Sequence, residues 1–201
     1  MATVRGKPYY NIISALKLMD LQFDTISPEE ASLSNAKVII TTRDEAGFVK
    51  KKEIIMLDTE LERYPAISKA KILRSIAGPH ADDQLVIGMD PGSRIGISAI
   101  YLHQEIASEV ESSPEDAVDQ VSAMLGAIES RKKTVKIGDG DIVMARMIAR
   151  KLKTKFRDSV HIEIVDERGT SKNADANRRG ARDRSSARTI AFRSGRIYYI
   201  R

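Results

Sequence analysis

The residues in this chain best suited to chemistry are acids standing where strands and helices should end. Asp90 closes an apolar run, and Asp139 and Asp141 follow another. Asp166 and Glu167 end a third, and Asp183 opens a late helical stretch. In an open sheet with helical crossovers, ligands gather at the carboxyl ends of parallel strands. Acids brought together there repel one another and hold their protons more tightly. A divalent cation removes that penalty, and all-oxygen donors suit Mg²⁺ or Mn²⁺. Two such ions ~4 Å apart stabilise both the attacking and the leaving oxygen of a phosphodiester. Each acid also has an ordinary use. Asp90 suits a plain turn, and Asp139 an Asp-Gly turn. Asp141 can cap the helix that begins at Ile142, and Asp183 can complement a helix N-terminus. Glu167 can pair with Arg168.

The elements that would carry these acids are legible. Leu85-Val86-Ile87-Gly88-Met89-Asp90 reads as a buried strand that Pro91-Gly92 ends abruptly. Gly96–Leu102 resumes as a second strand and residues 105–111 as a third, in an antiparallel meander. Ser113-Pro114-Glu115-Asp116 opens a helix with an N-cap serine, a first-turn proline and first-turn acids. Thr134–Ile137 is a strand running into Gly138-Asp139-Gly140-Asp141. Ile142, Ala145, Ile148, Ala149 and Leu152 then repeat at helical spacing. Val160–Glu167 is the next strand, with His161 and Glu163 expected on its solvent side. Arg168–Gly180 reads as a mobile loop, about Arg182 to Phe192 as a helix, and Ile197–Ile200 as a last short strand.

The first 80 residues form a separate pattern. Ile12, Ile13, Leu16 and Met19 mark a helix. Phe23–Ser27, Lys37–Thr42 and Glu53–Asp58 are strand candidates, and Pro28-Glu29-Glu30 resembles a helix start. Ile67, Ala70, Ile72, Leu73 and Ile76 mark a helix closed by Gly78-Pro79. This predicts a small, parallel α/β unit without a glycine-rich phosphate fingerprint. Lys50-Lys51-Lys52 reads as a solvated loop and residues 79–83 as a linker. The boundaries expected are 1–82 for the small α/β domain and 83–201 for the second.

Bulk composition narrows the partners. With 42% hydrophobic and 30% charged residues, the chain can build a core and stay solvated. A formal net charge of +5 leans toward a polyanionic partner. There is no cysteine, so disulfides and thiolate metal sites are excluded. No apolar run reaches membrane-spanning length and no signal-peptide core is evident, so a cytoplasmic location without membrane association is expected. Tryptophan is absent and aromatics make up 5% of the chain, which argues against a base-stacking platform.

Three segments carry a family resemblance. Gly88-Met89-Asp90-Pro91-Gly92-Ser93-Arg94-Ile95-Gly96 resembles the first-strand motif of RNase H-like proteins of the RuvC/YqgF type, the Holliday-junction resolvases and their relatives. Asp166-Glu167-Arg168-Gly169-Thr170-Ser171 is similar to the Asp-Glu-Arg-x-Thr motif of the YqgF branch. Asp183-Arg184-Ser185-Ser186-Ala187-Arg188-Thr189-Ile190-Ala191 is similar to its final-helix motif. The resemblance spans residues 85–195. It implies an α/β architecture with an RNase H-like mixed sheet flanked by helices, following the small N-terminal α/β domain. It implies a Mg²⁺- or Mn²⁺-dependent nuclease acting on structured nucleic acid, and a homodimer. Asp90, Glu167 and Asp183 would be catalytic metal ligands. Asp139 or Asp141 would complete the set; where the branch has Gly-x-Pro, this chain has Gly138-Asp139-Gly140-Asp141, and either acid fits.

Beside the acids runs an arginine-rich stretch. Arg168, Arg178, Arg179, Arg182, Arg184 and Arg188 are the candidate phosphate contacts, because guanidinium forks match phosphate oxygens. Two other functions compete. One is a nucleic-acid-binding module that keeps the fold without catalysis. The other is an actin-like ATPase or sugar kinase, which needs two matched phosphate-binding units where residues 83–201 supply one.

Overall fold

The structure is a computed structural model describing residues 1–49, 54–78, 82–168 and 179–199, with the side chains of Ile54 and Arg179 excepted. The Lys50–Lys52 segment, residues 79–81 of the linker, and nearly all of the loop between Arg168 and Gly180 lie outside the described residues. The chain divides into two compact units, Met1–Ala81 and Asp82–Arg201.

In the first unit, α1 (Gly6–Leu18) is followed by a short 3₁₀ turn at Glu30–Leu33, β1 (Val38–Thr41) and β2 (Ile54–Leu57). Then come α2 (Asp58–Arg63) and α3 (Pro65–Ala77), which Gly78 ends in a left-handed conformation. β1 and β2 pair in parallel. Ile12, Leu16 and Met19 of the α1 region pack with Ile40, Met56, Leu61 and Ile72. Ala2, Ala31, Ile39 and Val49 form a second cluster, as alternation along β1 requires. The strand expected over Phe23–Ser27 is reduced to one bridge between Ile26 and Ala2. The helix expected from Pro28 is only the 3₁₀ turn. Buried Glu45 accepts hydrogen bonds from Thr3 Oγ1, the Val4 N–H (3.0 Å) and Thr42 Oγ1 (2.8 Å). These bonds tie the N-terminal segment to the turn after β1. Burial works to raise the Glu45 pKa, but the bonds from Thr3, Val4 and Thr42 outweigh it and hold it below the ordinary value.

The second unit is a mixed six-stranded sheet flanked by helices. Its strands are β3 (Gln84–Asp90), β4 (Ile95–Tyr101), β5 (Gln104–Glu111), β6 (Lys132–Gly138), β7 (His161–Val165) and β8 (Arg196–Ile197). Its helices are α4 (Pro114–Ala127), α5 (Ile142–Phe156) and α6 (Arg179–Phe192). Strand order is β5-β4-β3-β6-β7-β8. The meander β3-β4-β5 is antiparallel, β3-β6 and β6-β7 are parallel, and β7-β8 is antiparallel. Among the described residues, no helix is long and apolar enough to cross a membrane.

The two faces of this sheet differ. Leu85, Ile87, Met89, Ile97, Ala99, Val135 and Ile137 are fully buried on the face that α4 and α5 cover. The other face has Gly88 and Gly96, and α6 lies directly on it. A β-carbon at Gly88 would stand 2.0 Å from the Ala187 carbonyl oxygen, and one at Gly96 would stand 2.1 Å from that of Asp183. Only glycine on the strands and small residues on the helix allow this approach. Ser186, Ala187, Ile190 and Ala191 are accordingly buried. Alternation along β3 puts Asp90 on the same face as Gly88, toward α6.

Two expectations need correction in this unit. The last helix starts at Arg179, so Asp183 lies in its second turn and does not open it. Glu163 is only partly exposed; its Oε2 accepts the Gly195 N–H at 3.1 Å, because the segment after α6 folds back over β7.

A candidate carboxylate site at the strand ends

Asp90 ends β3 and Glu167 lies just beyond β7, with the end of β6 between them in the sheet. Gly138 closes β6 and leaves open space where a side chain would stand. A β-carbon there would lie 1.8 Å from Glu167 Oε1, and one at Gly140 would lie 2.2 Å from Oε2. The Glu167 carboxylate therefore fills a cradle made by two glycines and reaches across β6 toward Asp90.

Asp139 holds the approach. Its N–H donates to the Val165 carbonyl at 3.0 Å, and its Oδ1 accepts the Glu167 N–H at 3.0 Å. Asp141 is used differently. Its Oδ1 accepts the Met144 N–H at 3.0 Å and caps α5. Asp166 Oδ1 accepts the Arg168 N–H at 2.8 Å.

The electrostatics are those of crowded acids. Burial pushes the Asp90 carboxyl up, and the charge of Asp183 adds to this; the Ser186 hydroxyl, Glu167 and Arg182 partly offset it. Burial also pushes Glu167 up, with the charges of Asp90 and Asp139 adding, to about 7. The Gly140 N–H works in the opposite direction. Among the described residues, Glu167 Oε1 is buried and has no hydrogen-bond partner. An orphaned oxygen, a glycine cradle and two acids that ionise reluctantly are what an oxygen-ligated divalent cation would satisfy.

The sequence-derived acids thus fall into two groups. Asp90 and Glu167 meet, with Asp183 close enough to act on Asp90 and Asp139 on Glu167. Asp141 belongs to the helix cap. Among the described residues, no group of three or more acids or histidines stands close enough to form a complete metal cage.

The arginines also divide. Arg182 and Arg184 are exposed on α6, with Arg182 close enough to act on Asp90, and Arg168 is exposed beyond β7. Arg188 is engaged with Glu105 at 3.5 Å, and Glu105 in turn accepts from Ser98 at 2.6 Å. Arg178 lies outside the described residues, and Arg179 begins α6.

Sequence reasoning missed three features: the Gly138–Gly140 cradle, the Ser186 contact to Asp90, and Arg193, which spans the backbone around Glu167. The glycines were visible as turn formers, but nothing local marks which side chain fills the space they leave. No protein-family model matches this chain, and no curated protein matches it in sequence.

Proposed function

We propose that the second unit is a divalent-metal-dependent nuclease acting on structured nucleic acid, with an RNase H-like fold of the RuvC/YqgF type. The observation that carries this reading is the meeting of Asp90 and Glu167 across the end of β6, in a pocket where neither ionises readily. The strand order and directions, an antiparallel meander continued by two parallel strands, support the fold. The fold alone does not give the activity.

Asp90, Glu167 and Asp183 would hold Mg²⁺ or Mn²⁺. Asp139 is the better fourth ligand, because one oxygen of Asp141 is committed to the α5 cap. A bound divalent cation supplies Lewis acidity and a water of lowered pKa. The chain's own residues do the rest. Glu167, raised to about 7, would have to be ionised to hold the cation. The Ser186 hydroxyl fixes Asp90. Exposed Arg182, close enough to act on Asp90, and exposed Arg184 on the same helix would meet phosphate oxygens. A homodimer belongs to the same reading, and sedimentation of the full chain would test it.

A second reading has its own observation. The exposed Arg168, Arg182 and Arg184 would equally serve a nucleic-acid-binding module without catalysis. Asp90→Asn separates the two. Branched DNA, linear DNA and a structured RNA are offered with Mg²⁺ or Mn²⁺. The nuclease reading expects cleavage by the wild type, loss of cleavage in Asp90→Asn, and binding retained in both. Binding without cleavage of any substrate by the wild type would establish the module instead.

A further inference from the structure

Arg193 is one of the arginines in the basic C-terminal stretch, where a role in phosphate binding would be the first thought. Its contacts are of another kind. Nη1 donates to the Asp166 carbonyl at 2.8 Å and to the Arg168 carbonyl at 3.0 Å. These two carbonyls flank Glu167 in the chain. One guanidinium nitrogen therefore bridges the backbone on both sides of the residue that faces Asp90.

The arginine is itself held. Its N–H donates to the Ile190 carbonyl at 3.1 Å, ending α6. Lys136 Nζ, from the middle of β6, donates to the Arg193 carbonyl at 2.6 Å. Just beyond it, the Gly195 N–H reaches Glu163 Oε2 at 3.1 Å and the Tyr198 N–H reaches the Ile162 carbonyl at 2.8 Å. A β-carbon at Gly195 would stand 2.8 Å from the Ile164 carbonyl oxygen, so this segment lies tightly on β7. The side chain of Arg193 thus projects from an anchored backbone to hold one that continues past β7 without a sheet partner among the described residues.

We infer that Arg193 is a positioning residue for Glu167: its guanidinium clamps the Asp166 and Arg168 carbonyls, and so fixes the Glu167 carboxylate over the Gly138–Gly140 cradle toward Asp90. This rests on the proposed carboxylate site for its purpose, but the clamp itself exists without metal or nucleic acid. An arginine suits the task because Nη1 carries two N–H groups, one for each carbonyl, held in the fixed plane of the guanidinium. The clamp acts on the main chain and not on the carboxylate, so it orients Glu167 without neutralising it. Its relation to the site is that of the outer partners that orient a metal's ligands.

The test uses the full chain and two variants, Arg193→Ala and Arg193→Lys, because lysine keeps the charge and one donor group. The first readout is amide hydrogen exchange in metal-free protein. The Glu167 N–H sits on Asp139 Oδ1 and the Arg168 N–H on Asp166 Oδ1, so both report on the clamped backbone. Exchange at these two amides should rise at least about tenfold in Arg193→Ala, above any change at the buried amides of β3, with partial recovery in Arg193→Lys. The second readout is Mn²⁺ affinity by calorimetry, expected to fall about 10- to 100-fold in Arg193→Ala. The third is the salt dependence of binding to a linear DNA duplex, which should keep its slope. Unchanged exchange at Glu167 and Arg168 in both variants would overturn the inference. So would an Mn²⁺ affinity equal to that of the wild type, or a salt slope lowered by about 0.9, the mark of one phosphate no longer neutralised. A wild type that binds no Mn²⁺ would defeat the proposed function, and the exchange readout would then decide the role of Arg193 alone.

Discussion

Replacing Gly138 by alanine should disable the carboxylate site while leaving the fold intact. The new β-carbon would stand 1.8 Å from Glu167 Oε1 and 2.6 Å from its Cδ. An ordinary C···O contact is about 3.3 Å, so the oxygen must retreat by about 1.5 Å. The obstacle is the far end of a long side chain, which can rotate, and not a backbone. The stability cost is therefore small, and removing a glycine from a strand returns about 0.5–1 kcal/mol. The net change should lie within about 1 kcal/mol of zero. The site has no such tolerance, because ligand distances in a metal site hold to about ±0.2 Å. Mn²⁺ affinity should fall at least about tenfold, or 1.4 kcal/mol. Glu167, moved away from Asp90, should titrate well below about 7. The assay combines urea denaturation, calorimetry with Mn²⁺, and an NMR titration of the Glu167 carboxyl carbon. Gly126→Ala is the control, since nothing among the described residues stands within 4 Å of a β-carbon at that α4 position. A Gly138→Ala protein that keeps the wild-type Mn²⁺ affinity and a Glu167 titrating near 7 would refute the cradle.

Other perturbations separate stability from function. Glu167 holds its proton to about 7 when folded, against an ordinary value of 4.5. The folded state thus binds more protons across that window, and its stability falls as pH rises through it. Glu167→Gln should flatten that part of the urea-stability profile and stabilise the protein at pH 8; an unchanged profile would mean that Glu167 is not the group responsible. Gly96→Ala should destabilise by about 3 kcal/mol, the upper end for overpacking, because its β-carbon meets the Asp183 backbone and α6 must shift. Urea unfolding measures this, and a cost below about 1 kcal/mol would show that α6 yields easily. The pair Arg182→Ala with Arg184→Ala should lower the salt slope of DNA binding by about 0.9 for each phosphate no longer neutralised. An unchanged slope would make both ordinary solvated arginines.

What could be read from the sequence was mostly local. Ser113 and Asp141 cap α4 and α5 through backbone N–H groups at 3.1 and 3.0 Å, as their positions before helical runs suggested. The apolar run to Asp90 and the one after it are strands β3 and β4, because strands covered on both faces leave a near-continuous apolar signature. Features made by distant contacts were not legible. Gly88 and Gly96 look like strand and turn glycines, yet each marks where α6 touches the sheet. Glu163 alternates with apolar neighbours as a solvent-facing residue would, but a segment 32 residues further along covers it. The start of α6 was misplaced because Arg179–Arg182 offers no apolar periodicity. Arg188 reads as a phosphate contact by type alone, and tertiary structure gives it a carboxylate partner; Arg193, outside the candidate set, takes two carbonyl partners.

The central claim is that the Asp90–Glu167 pair is a divalent-cation site. The most direct measurement is a crystal of the full chain grown or soaked with millimolar Mn²⁺, with anomalous scattering recorded at the manganese edge. A cation site there gives a peak between the two carboxylates, with oxygens of Asp90 and Glu167 at about 2.1–2.2 Å, close to the distances of octahedral Mg²⁺ sites. Asp90→Asn should abolish the peak under the same conditions. A well-ordered crystal without anomalous density between Asp90 and Glu167, or with Mn²⁺ bound only at other acids, would contradict it.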